Sequence, residues 1–395
     1  MDVDAPLTLL GGLSPARFMR LHWQRKPLLV RQAWPGVAPP VARAALFDLA
    51  ARDDVEARLV EREGERWRVR QGPLPRRALP PVSRAAWTLL VQGLDLHLEA
   101  AHAMLAPFRF IPDARLDDLM VSWASPGGGV GPHLDAYDVF LIQVQGRRRW
   151  RVGRVADPSW VEGAPLKLLQ RFEPSFDWVL EPGDLLYLPP LWGHDGVAEG
   201  GDCMTCSVGF RVPARVELAR ELLLRLADEL DVGDRSRLYR DPQQPATTEP
   251  ARVPPALLGF ARAALRHALD DPGALERALG SILSEPKAQV WFEGARVAGG
   301  DALCLDRRTR MVYDERHLYI NGEALRAGGR DATLMRRLAD RRALTAADCR
   351  RLSAEAAAAL AGWVDAGWAH RVGAVSAPGH SPARTPGRVA RRPVP

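Results

Sequence analysis

Two short stretches of the sequence contain residues that together could hold a metal ion. His133 and Asp135 lie two positions apart, so on a β-strand their side chains would point to the same face. His194 comes later, after an apolar stretch that ends in Pro189-Pro190. Two histidines and one carboxylate, with no fourth protein ligand evident, are the ligand set of non-haem iron(II) oxygenases, which leaves metal positions open for a co-substrate and oxygen. The spacing therefore predicts metal-dependent oxygenase chemistry.

A second signal comes from the arginine-rich stretch 146–152. Alternation along a strand puts Arg148 on the same face as Trp150 and Val152, with the other arginines of the stretch on the opposite face. The apolar neighbours indicate that Arg148 points into the protein, where a guanidinium needs an anion and suits a carboxylate in particular. A bound carboxylate ligand is favoured because open metal positions are predicted nearby. An internal salt bridge, for instance to Asp184, is the alternative.

Length and composition are those of a soluble globular protein with two or three domains. The chain has 395 residues, of which 47% are hydrophobic and 26% are charged. No apolar run approaches the roughly 18 residues that a membrane span needs, and the acidic N-terminus lacks the features of a signal peptide. The 4 cysteines are scattered and do not make a disulfide framework. We expect a cytoplasmic protein without a membrane anchor.

The net charge of +6 is concentrated at the C-terminus. Residues 371–395 contain five arginines and no acidic residue, so removing them from +6 leaves +1 for the rest of the chain. A nearly neutral body argues against broad nucleic-acid binding, which needs many phosphate-neutralising charges. Residues 374–395, rich in Pro, Arg, Ala and Gly, are predicted to form a disordered basic tail.

The pattern of elements in the first half of the chain predicts an α+β protein. Residues 14–31 are expected to form a capped helix that runs into a strand, with Ser14 as the N-cap and Pro15 in the first turn. A further helix is predicted at 83–105. Over 118–212, short β runs broken by Gly and Pro are typical of a barrel or a two-sheet sandwich. The predicted metal ligands fall within this β-rich part.

Two further regions follow the β-rich part. Apolar residues recur at helical spacing over 214–285, and we expect this region to pack against a second copy of the chain in a homodimer. Residues 286–373 combine helices with a tight-turn signal at 319–323, as in a winged helix. We expect a packing or protein-contact role there and no specific DNA binding, because acidic residues leave no basic recognition face. These acidic residues are Asp331, Asp340, Asp348 and Glu355.

Several motifs together resemble the JmjC-type ribosomal oxygenases of the cupin superfamily. They are Asp117-Asp118-Leu119-Met120, the stretch 129–135, Tyr137-Asp138-Val139-Phe140, the stretch 146–153, Pro182-Gly183-Asp184 and the stretch 207–211. The likeness is greatest to the bacterial enzymes that hydroxylate an arginine of ribosomal protein L-sixteen in the large subunit. It implies a double-stranded β-helix (the cupin or JmjC jelly roll) as catalytic domain at 1–213. A helical dimerisation region at 214–285 and a winged-helix-like domain at 286–373 would follow.

The resemblance also implies roles for individual residues. His133, Asp135 and His194 would hold iron(II). Arg148 would pair with the distal carboxylate of the co-substrate 2-oxoglutarate, and Ser122 on a neighbouring strand would be a hydroxyl partner for the same carboxylate. The implied reaction couples decarboxylation of 2-oxoglutarate to hydroxylation of an arginine side chain of a ribosomal protein.

The substrate end of the site and one departure from the family complete these expectations. Tyr137 and Asp138 would line the peptide groove, where an acidic group suits an arginine. Family members carry an Asn-Tyr pair where this chain has Thr205-Cys206, so an amide that would steady 2-oxoglutarate is missing. The pair Cys203-x-x-Cys206 invites a redox or zinc assignment, but the odd offset along a strand points the two thiols to opposite faces.

Two alternative functions compete with the oxygenase. A metal cupin enzyme that does not use 2-oxoglutarate would keep the His-Asp-His set but would have no use for an inward Arg148. A winged-helix regulator whose barrel senses a small ligand would need a basic recognition helix, against which the acidic residues of the C-terminal region speak. A demethylase of histone type shares the chemistry and differs only in substrate.

Overall fold

The computed structural model describes residues 2–230, 238–269, 271–294, 300–326 and 328–373. By its internal contacts the chain divides into two compact units. The first contains the described residues up to Trp291 together with Arg307–Leu325, and the second contains Phe292–Asp306 and the described residues from Arg326 onward. The tail predicted at 374–395 lies outside the described residues, and the boundaries predicted near 213, 285 and 373 stay predictions.

An antiparallel nine-stranded sheet forms the centre of the first unit. Its strands are β1 (Leu28–Val30), β2 (Ala57–Glu63), β3 (Arg66–Gln71), β4 (Trp87–Val91), β5 (Leu116–Ala124), β6 (Tyr137–Arg154), β7 (Phe176–Leu180), β8 (Leu185–Leu188) and β9 (Trp192–Arg211). They are ordered β1-β8-β6-β9-β5-β4-β2-β3, and β7 pairs with β6. The first half of β6 pairs with β8 and its second half with β7, while β9 follows it along almost its whole length. The β-rich architecture predicted for this region is confirmed.

The strands β6 and β9 change register at the middle of their pairing. Register shifts lie between Gln143 and Arg147, where Gly146 has a φ of +65°. A Cβ atom at Gly146 would lie 2.9 Å from the carbonyl oxygen of Asp202 on β9, so the close approach of the two backbones favours glycine here. This irregularity separates the half of β6 that carries Tyr137 from the half that carries Arg148.

Helices cover the sheet and then extend from it. They are α1 (Pro15–Leu21), α2 (Arg43–Leu49), α3 (Leu94–His97), α4 (Glu99–Ala103), α5 (Arg215–Asp228), α6 (Pro255–Ala268) and α7 (Ala274–Ser284). The Ser14 hydroxyl accepts a hydrogen bond from the backbone N–H of Arg17 and Pro15 opens α1, which confirms the predicted cap. Phe18 of α1 is fully buried and packs against Phe140 and Tyr187 of the sheet. Among the described residues, no helix combines the length and the apolar character that crossing a membrane needs.

The helix predicted at 83–105 is wrong in its first part. Trp87–Val91 forms β4, which pairs with β2 and β5, and only the short helices α3 and α4 follow. All five residues of β4 are buried. A strand covered on both faces lacks the polar and apolar alternation that distinguishes a strand from a helix, so its sequence pattern was ambiguous.

The C-terminal part contains two small sheets and three helices. The elements are β10 (Ala302–Leu305), β11 (Met311–Tyr313), β12 (His317–Ile320), β13 (Glu323–Arg326), α8 (Gly329–Arg341), β14 (Ala343–Leu344), α9 (Ala346–Cys349), α10 (Ala354–Asp365) and β15 (Ala369–Val372). One sheet has the order β14-β10-β15 and the other β11-β12-β13. Asn321 and Gly322 both have positive φ between β12 and β13, which confirms the predicted tight turn.

Candidate active site

The two histidines are held side by side by their own backbones. His133 lies in the segment between β5 and β6 and forms an isolated bridge with His194 of β9. Each backbone N–H donates to the carbonyl oxygen of the other residue at 3.0 Å. Asp135 is held by its own carbonyl oxygen, which accepts from the N–H of Leu191 at 2.9 Å. The predicted strand position of His133 and Asp135 is thus a single bridge, and it still brings all three residues together.

The three predicted metal ligands form one cluster. One ligand atom from each of His133, Asp135 and His194 lies within 4.8 Å of the others, in the one such group among the described residues. A carboxylate oxygen of Asp135 is 3.7 Å from Nε2 of His133 and 3.5 Å from Nε2 of His194. Nδ1 of His133 lies 2.8 Å from the carbonyl oxygen of Gly131, and Nδ1 of His194 lies 2.9 Å from that of Trp192. These contacts orient both rings so that Nε2 faces the carboxylate, as metal-binding histidines require.

The electrostatics of the cluster favour an ionised carboxylate between imidazoles. Burial and the neighbouring His194 lower the pKa of His133. Burial opposes ionisation of Asp135, but the hydrogen bond to His194 and the charges of both histidines hold its pKa well below the usual range. Burial also opposes protonation of His194, and the Asp135 carboxylate outweighs it and raises the pKa. A divalent cation would take the place of the proton that this arrangement attracts.

Arg148 points into the protein, as the strand alternation predicted. Its side chain is 5% exposed, and Nη1 donates to the hydroxyl of Ser122 at 3.2 Å. Nε and Nη2 are buried and have no hydrogen-bond partner in the described part of the chain. Asp184 is not its counterion, because Asp184 accepts from Arg31 at 2.6 Å and from the backbone N–H groups of Gln32 and Glu181. A buried guanidinium with two free donors is suited to a carboxylate ligand.

One cavity of about 570 Å³ contains both features. Its lining includes the three ligands of the His-Asp-His cluster together with Arg148, Ser122 and Tyr137. Trp150 of β6 also lines it, with ring centroids 5.9 Å from His194 and 5.7 Å from the guanidinium carbon of Arg148. The donor set and the free guanidinium therefore fit a metal ion and an acid bound in the same space.

The structure brings Tyr137 to the cavity but not Asp138. Successive residues of β6 point to opposite faces. Tyr137 lines the cavity and is 39% exposed, whereas Asp138 is fully buried on the other side. Its carboxylate accepts from Tyr187 Oη at 2.6 Å, from Gln24 Nε2 at 3.0 Å and from Arg115 Nη2 at 3.2 Å. The expectation that Asp138 lines the groove is corrected accordingly.

Two other acidic residues supply the charge expected of Asp138. Asp117 and Asp118 at the start of β5 line the same cavity. Lys287, far along the chain, bonds to Asp118 at 2.7 Å and lies 3.3 Å from Asp117. The available sequence signal was a pair of carboxylates opening an apolar strand, where burial without a partner is costly. Nothing local in the sequence points to Lys287.

The two cysteines of the predicted strand are both buried, in separate clusters. Cys206 belongs to the main core and Cys203 to a small cluster with Ala124 and Ala198. Burial raises the pKa of the Cys206 thiol, and Cys203 Sγ accepts a hydrogen bond from Gln143 at 3.3 Å. The structure therefore agrees with the argument against a redox or zinc site.

Comparison with known proteins places this geometry in a family. Residues 103–218 match the model of the JmjC domain, and residues 266–370 match the model of the ROXA-like winged helix. The chain is 36% identical to the ribosomal protein uL16 3-hydroxylase of Escherichia coli over 69% of this chain and 72% of that protein. It is 39% identical to a probable ribosomal oxygenase of Haemophilus influenzae over 51% of this chain and 50% of that protein.

Solved structures agree over a greater length. The X-ray structure of E. coli ycfD matches with a TM-score of 0.79 and 32% identity, covering 90% of this chain and 98% of that chain. A structure of the E. coli ribosomal oxygenase YcfD with cobalt and 2-oxoglutarate matches with a TM-score of 0.74 and 32% identity over the same shares. The predicted double-stranded β-helix of cupin type and the predicted winged helix are thereby confirmed. The chain belongs to the JmjC-domain ribosomal oxygenases.

Proposed function

We propose that the protein is an iron(II)- and 2-oxoglutarate-dependent oxygenase that hydroxylates an arginine side chain of a large-subunit ribosomal protein, of the uL16 (L-sixteen) type. The observation that carries the proposal is the buried Arg148, whose Nε and Nη2 lack partners in the described residues and which lines the same cavity as the His-Asp-His cluster. A metal cupin without 2-oxoglutarate gives no reason to bury such a cation. The relatives named uL16 3-hydroxylase and ribosomal oxygenase support the substrate class.

Each residue of the site has a defined task in this reaction. His133, Asp135 and His194 would hold iron(II) through Nε2 and carboxylate oxygen atoms. Arg148 would bind the distal carboxylate of 2-oxoglutarate through its free donors, with the hydroxyl of Ser122 beside it. Bound iron(II) and 2-oxoglutarate supply the oxidation of a C–H bond by O₂, in which 2-oxoglutarate becomes succinate and CO₂. The apolar side chains Val139 and Leu141, which line the cavity, exclude water from the reacting groups.

The substrate end of the cavity suits a cation. Asp117 and Asp118 line it together with Tyr137, which offers an aromatic face and a hydroxyl. A guanidinium binds carboxylates through parallel hydrogen bonds and stacks on aromatic rings. We assign Tyr137, Asp117 and Asp118 to recognition of the substrate arginine.

The proposal is tested by turnover of 2-oxoglutarate in the purified protein with iron(II). Peptides from large-subunit ribosomal proteins are added, and the products are analysed for succinate and for a peptide mass gain of about 16 Da, one oxygen atom. We expect peptide-stimulated succinate formation and hydroxylation at one arginine. Absence of stimulated turnover with every peptide, combined with an unchanged basal rate in Arg148→Ala, would overturn the proposal in favour of a cupin that does not use 2-oxoglutarate.

A neighbouring arginine provides the matched control. Arg147 lies on the opposite face of β6, is exposed, and pairs with Glu199 at 2.8 Å. Arg147→Ala removes the same side chain one position away, so it is expected to keep full activity. Loss of activity in Arg148→Ala alone therefore reports the co-substrate contact rather than the loss of an arginine on this strand.

We also propose that the helical region 214–285 holds two copies of the chain together. Helix α6 has no buried residue among those described, and it exposes Leu258 and Leu265 at 48% and 68%. Leu223 and Leu224 of α5 are 61% and 60% exposed. A second copy would cover these apolar faces, since monomers seldom leave extended patches of this kind uncovered.

The remaining expectations enter the proposal in the same way. The domain division at 1–213, 214–285, 286–373 and 374–395 is retained, and the protein is assigned to the cytoplasm, where its ribosomal substrate is made. Helix α10 has the sequence AEAAAALAGWVD, without Lys or Arg. A recognition helix for DNA needs basic side chains, so we propose a protein-contact role for the winged-helix region and no specific DNA binding.

A further inference from the structure

Three carboxylates lie close together behind the substrate end of the cavity. Asp95 of α3 and Asp118 of β5 are 5% and 6% exposed, and Asp117 lies beside Asp118. Backbone N–H groups serve two of them: Leu119 donates to Asp95 at 2.8 Å, and Gly93 donates to Asp118 at 3.0 Å. Neutral donors alone do not compensate for the burial of neighbouring negative charges.

Lys287 provides the nearest positive charge, and it comes from another part of the chain. It follows the end of α7 and places Nζ 2.7 Å from an oxygen of Asp118 and 3.3 Å from an oxygen of Asp117. Its side chain is 24% exposed. A flexible alkyl stem is thus held in place by two carboxylates that also line the cavity.

The other charged groups around the cluster come from β9 and from the segment before β11. Arg211 Nε donates to Asp117 at 2.9 Å, on the side away from Asp118. Arg310 donates to the carbonyl oxygen of Leu116 at 2.9 Å, so its hydrogen bond is to the backbone of β5. Lys287 is therefore the cation that directly contacts the innermost cavity carboxylate, Asp118, among the residues described.

We propose that Lys287 is a positioning residue that keeps Asp117 and Asp118 ionised and fixed, so that the cavity accepts a cationic side chain. The inference rests on the proposed function, and it adds that the segment following the helical region completes the substrate site. Lys287 occupies one oxygen of each carboxylate. The other oxygens remain for the substrate guanidinium.

The balance of forces on the carboxylates supports this role. Burial raises the pKa of Asp118, with Lys287 opposing it and the charge of Asp117 adding to it. Burial acts in the same direction on Asp117, where Lys287 and Arg211 outweigh it and lower the pKa. Without the ammonium group, burial and mutual repulsion would dominate, and the carboxylates would hold a proton at neutral pH. A protonated carboxyl group cannot form an ion pair with arginine.

The test is the pH profile of kcat/KM for an arginine-containing peptide in the full-length protein. This ratio reports ionisations of the free enzyme. In Lys287→Met the acid limb is expected to move to higher pH by roughly one to three units, the usual effect of an opposite charge at contact distance. At a pH below both limbs, each unit is a tenfold loss of kcat/KM. The loss should appear in KM for the peptide, while KM for 2-oxoglutarate stays constant.

Further variants separate charge from structure. Lys287→Gln keeps a hydrogen-bond donor but no charge and should behave like Lys287→Met. Lys287→Arg should restore the wild-type limb, and Lys26→Met, at an exposed lysine, should leave the profile unchanged. Thermal unfolding identifies any variant that has lost its fold, and Lys287→Gln then replaces Lys287→Met in the comparison.

Two results would overturn the inference. One is an acid limb at the wild-type position in folded Lys287→Met and Lys287→Gln. The other is an equal shift for a peptide in which neutral citrulline replaces arginine. If the wild-type protein hydroxylates no arginine peptide, the proposed function fails. Equilibrium binding of the arginine and citrulline peptides across pH then still tests the role of Lys287 by itself.

Discussion

Replacing Arg148 by methionine should separate binding of the co-substrate from folding. Methionine fills a similar volume without charge, and the wild-type guanidinium has one hydrogen bond, to Ser122, within the described protein. Replacement of a buried charge by an apolar side chain is often neutral or stabilising by about 1–4 kcal/mol. We therefore expect the ligand-free Arg148→Met protein to be at least as stable as the wild type, which is unusual for a buried site.

Binding of 2-oxoglutarate should respond in the opposite direction. Nε and Nη2 of Arg148 are both free to donate to a carboxylate. Charge-assisted hydrogen bonds contribute about 1.5–3 kcal/mol each, so their loss amounts to about 3–6 kcal/mol. Because about 1.4 kcal/mol is a factor of ten, the dissociation constant should rise by roughly 10²- to 10⁴-fold.

Titration calorimetry and thermal unfolding measure these two effects in the same samples, with manganese(II) in place of iron to prevent turnover. At 2-oxoglutarate concentrations near 100 times the wild-type dissociation constant, the wild-type protein should gain about 2.7 kcal/mol of stability, and Arg148→Met should gain almost none. Arg147→Met is the control and should bind normally. The reasoning is refuted if Arg148→Met binds 2-oxoglutarate within a factor of three of the wild type, or if its ligand-free form is several kcal/mol less stable than Arg147→Met.

Three other predictions concern the metal, the pH dependence and the assembly. His194→Ala removes one of three ligands, so iron or cobalt content after dialysis should fall by at least tenfold, as metal analysis would show; wild-type content would contradict the assignment. Asp95 has its pKa raised to about 7 by burial and by Asp118. The folded state therefore holds a proton that the unfolded chain releases above about pH 4, and stability should fall as pH rises from about 4 to about 7. Asp95→Asn should remove this fall and exceed the wild type at pH 8 by about 2–4 kcal/mol in denaturant unfolding, whereas parallel pH curves for the two proteins would contradict the assignment. Leu265→Arg should convert the proposed dimer into a monomer by light scattering, and a wild-type protein that is already monomeric would exclude the dimer.

The part of the site that follows from local rules was predictable from the sequence. Period-2 alternation identified Arg148 as inward, and the cost of an unpaired buried cation then required an anion. The residue types of His133, Asp135 and His194 indicated a metal before any geometry was known. The fold class followed from the Gly- and Pro-broken β runs and from the motifs shared with the ribosomal oxygenases.

The incorrect expectations have a common physical origin. Asp138 and Tyr137 are neighbours on β6, and which of them faces the cavity depends on strand register, which a single residue of slip reverses. The strand β4 is buried on both faces and so has no alternation to reveal it. Lys287 and Asp118 are separated by 169 positions, and only the folded chain brings them into contact.

The departure of this chain from its family at Thr205 shifts weight onto Arg148. Thr205 is fully buried, and its hydroxyl donates to Oε1 of Gln143 on β6 at 2.9 Å. Nε2 of Gln143 in turn donates to the carbonyl oxygen of Gln145 at 2.8 Å. Neither Thr205 nor Gln143 lines the cavity. The side chain at position 205 is thus engaged within the sheet, whereas an asparagine there would offer an amide to the co-substrate. Arg148 and Ser122 remain as the polar contacts for the distal carboxylate, so removing Arg148 should weaken co-substrate binding more in this protein than in a relative that retains the amide.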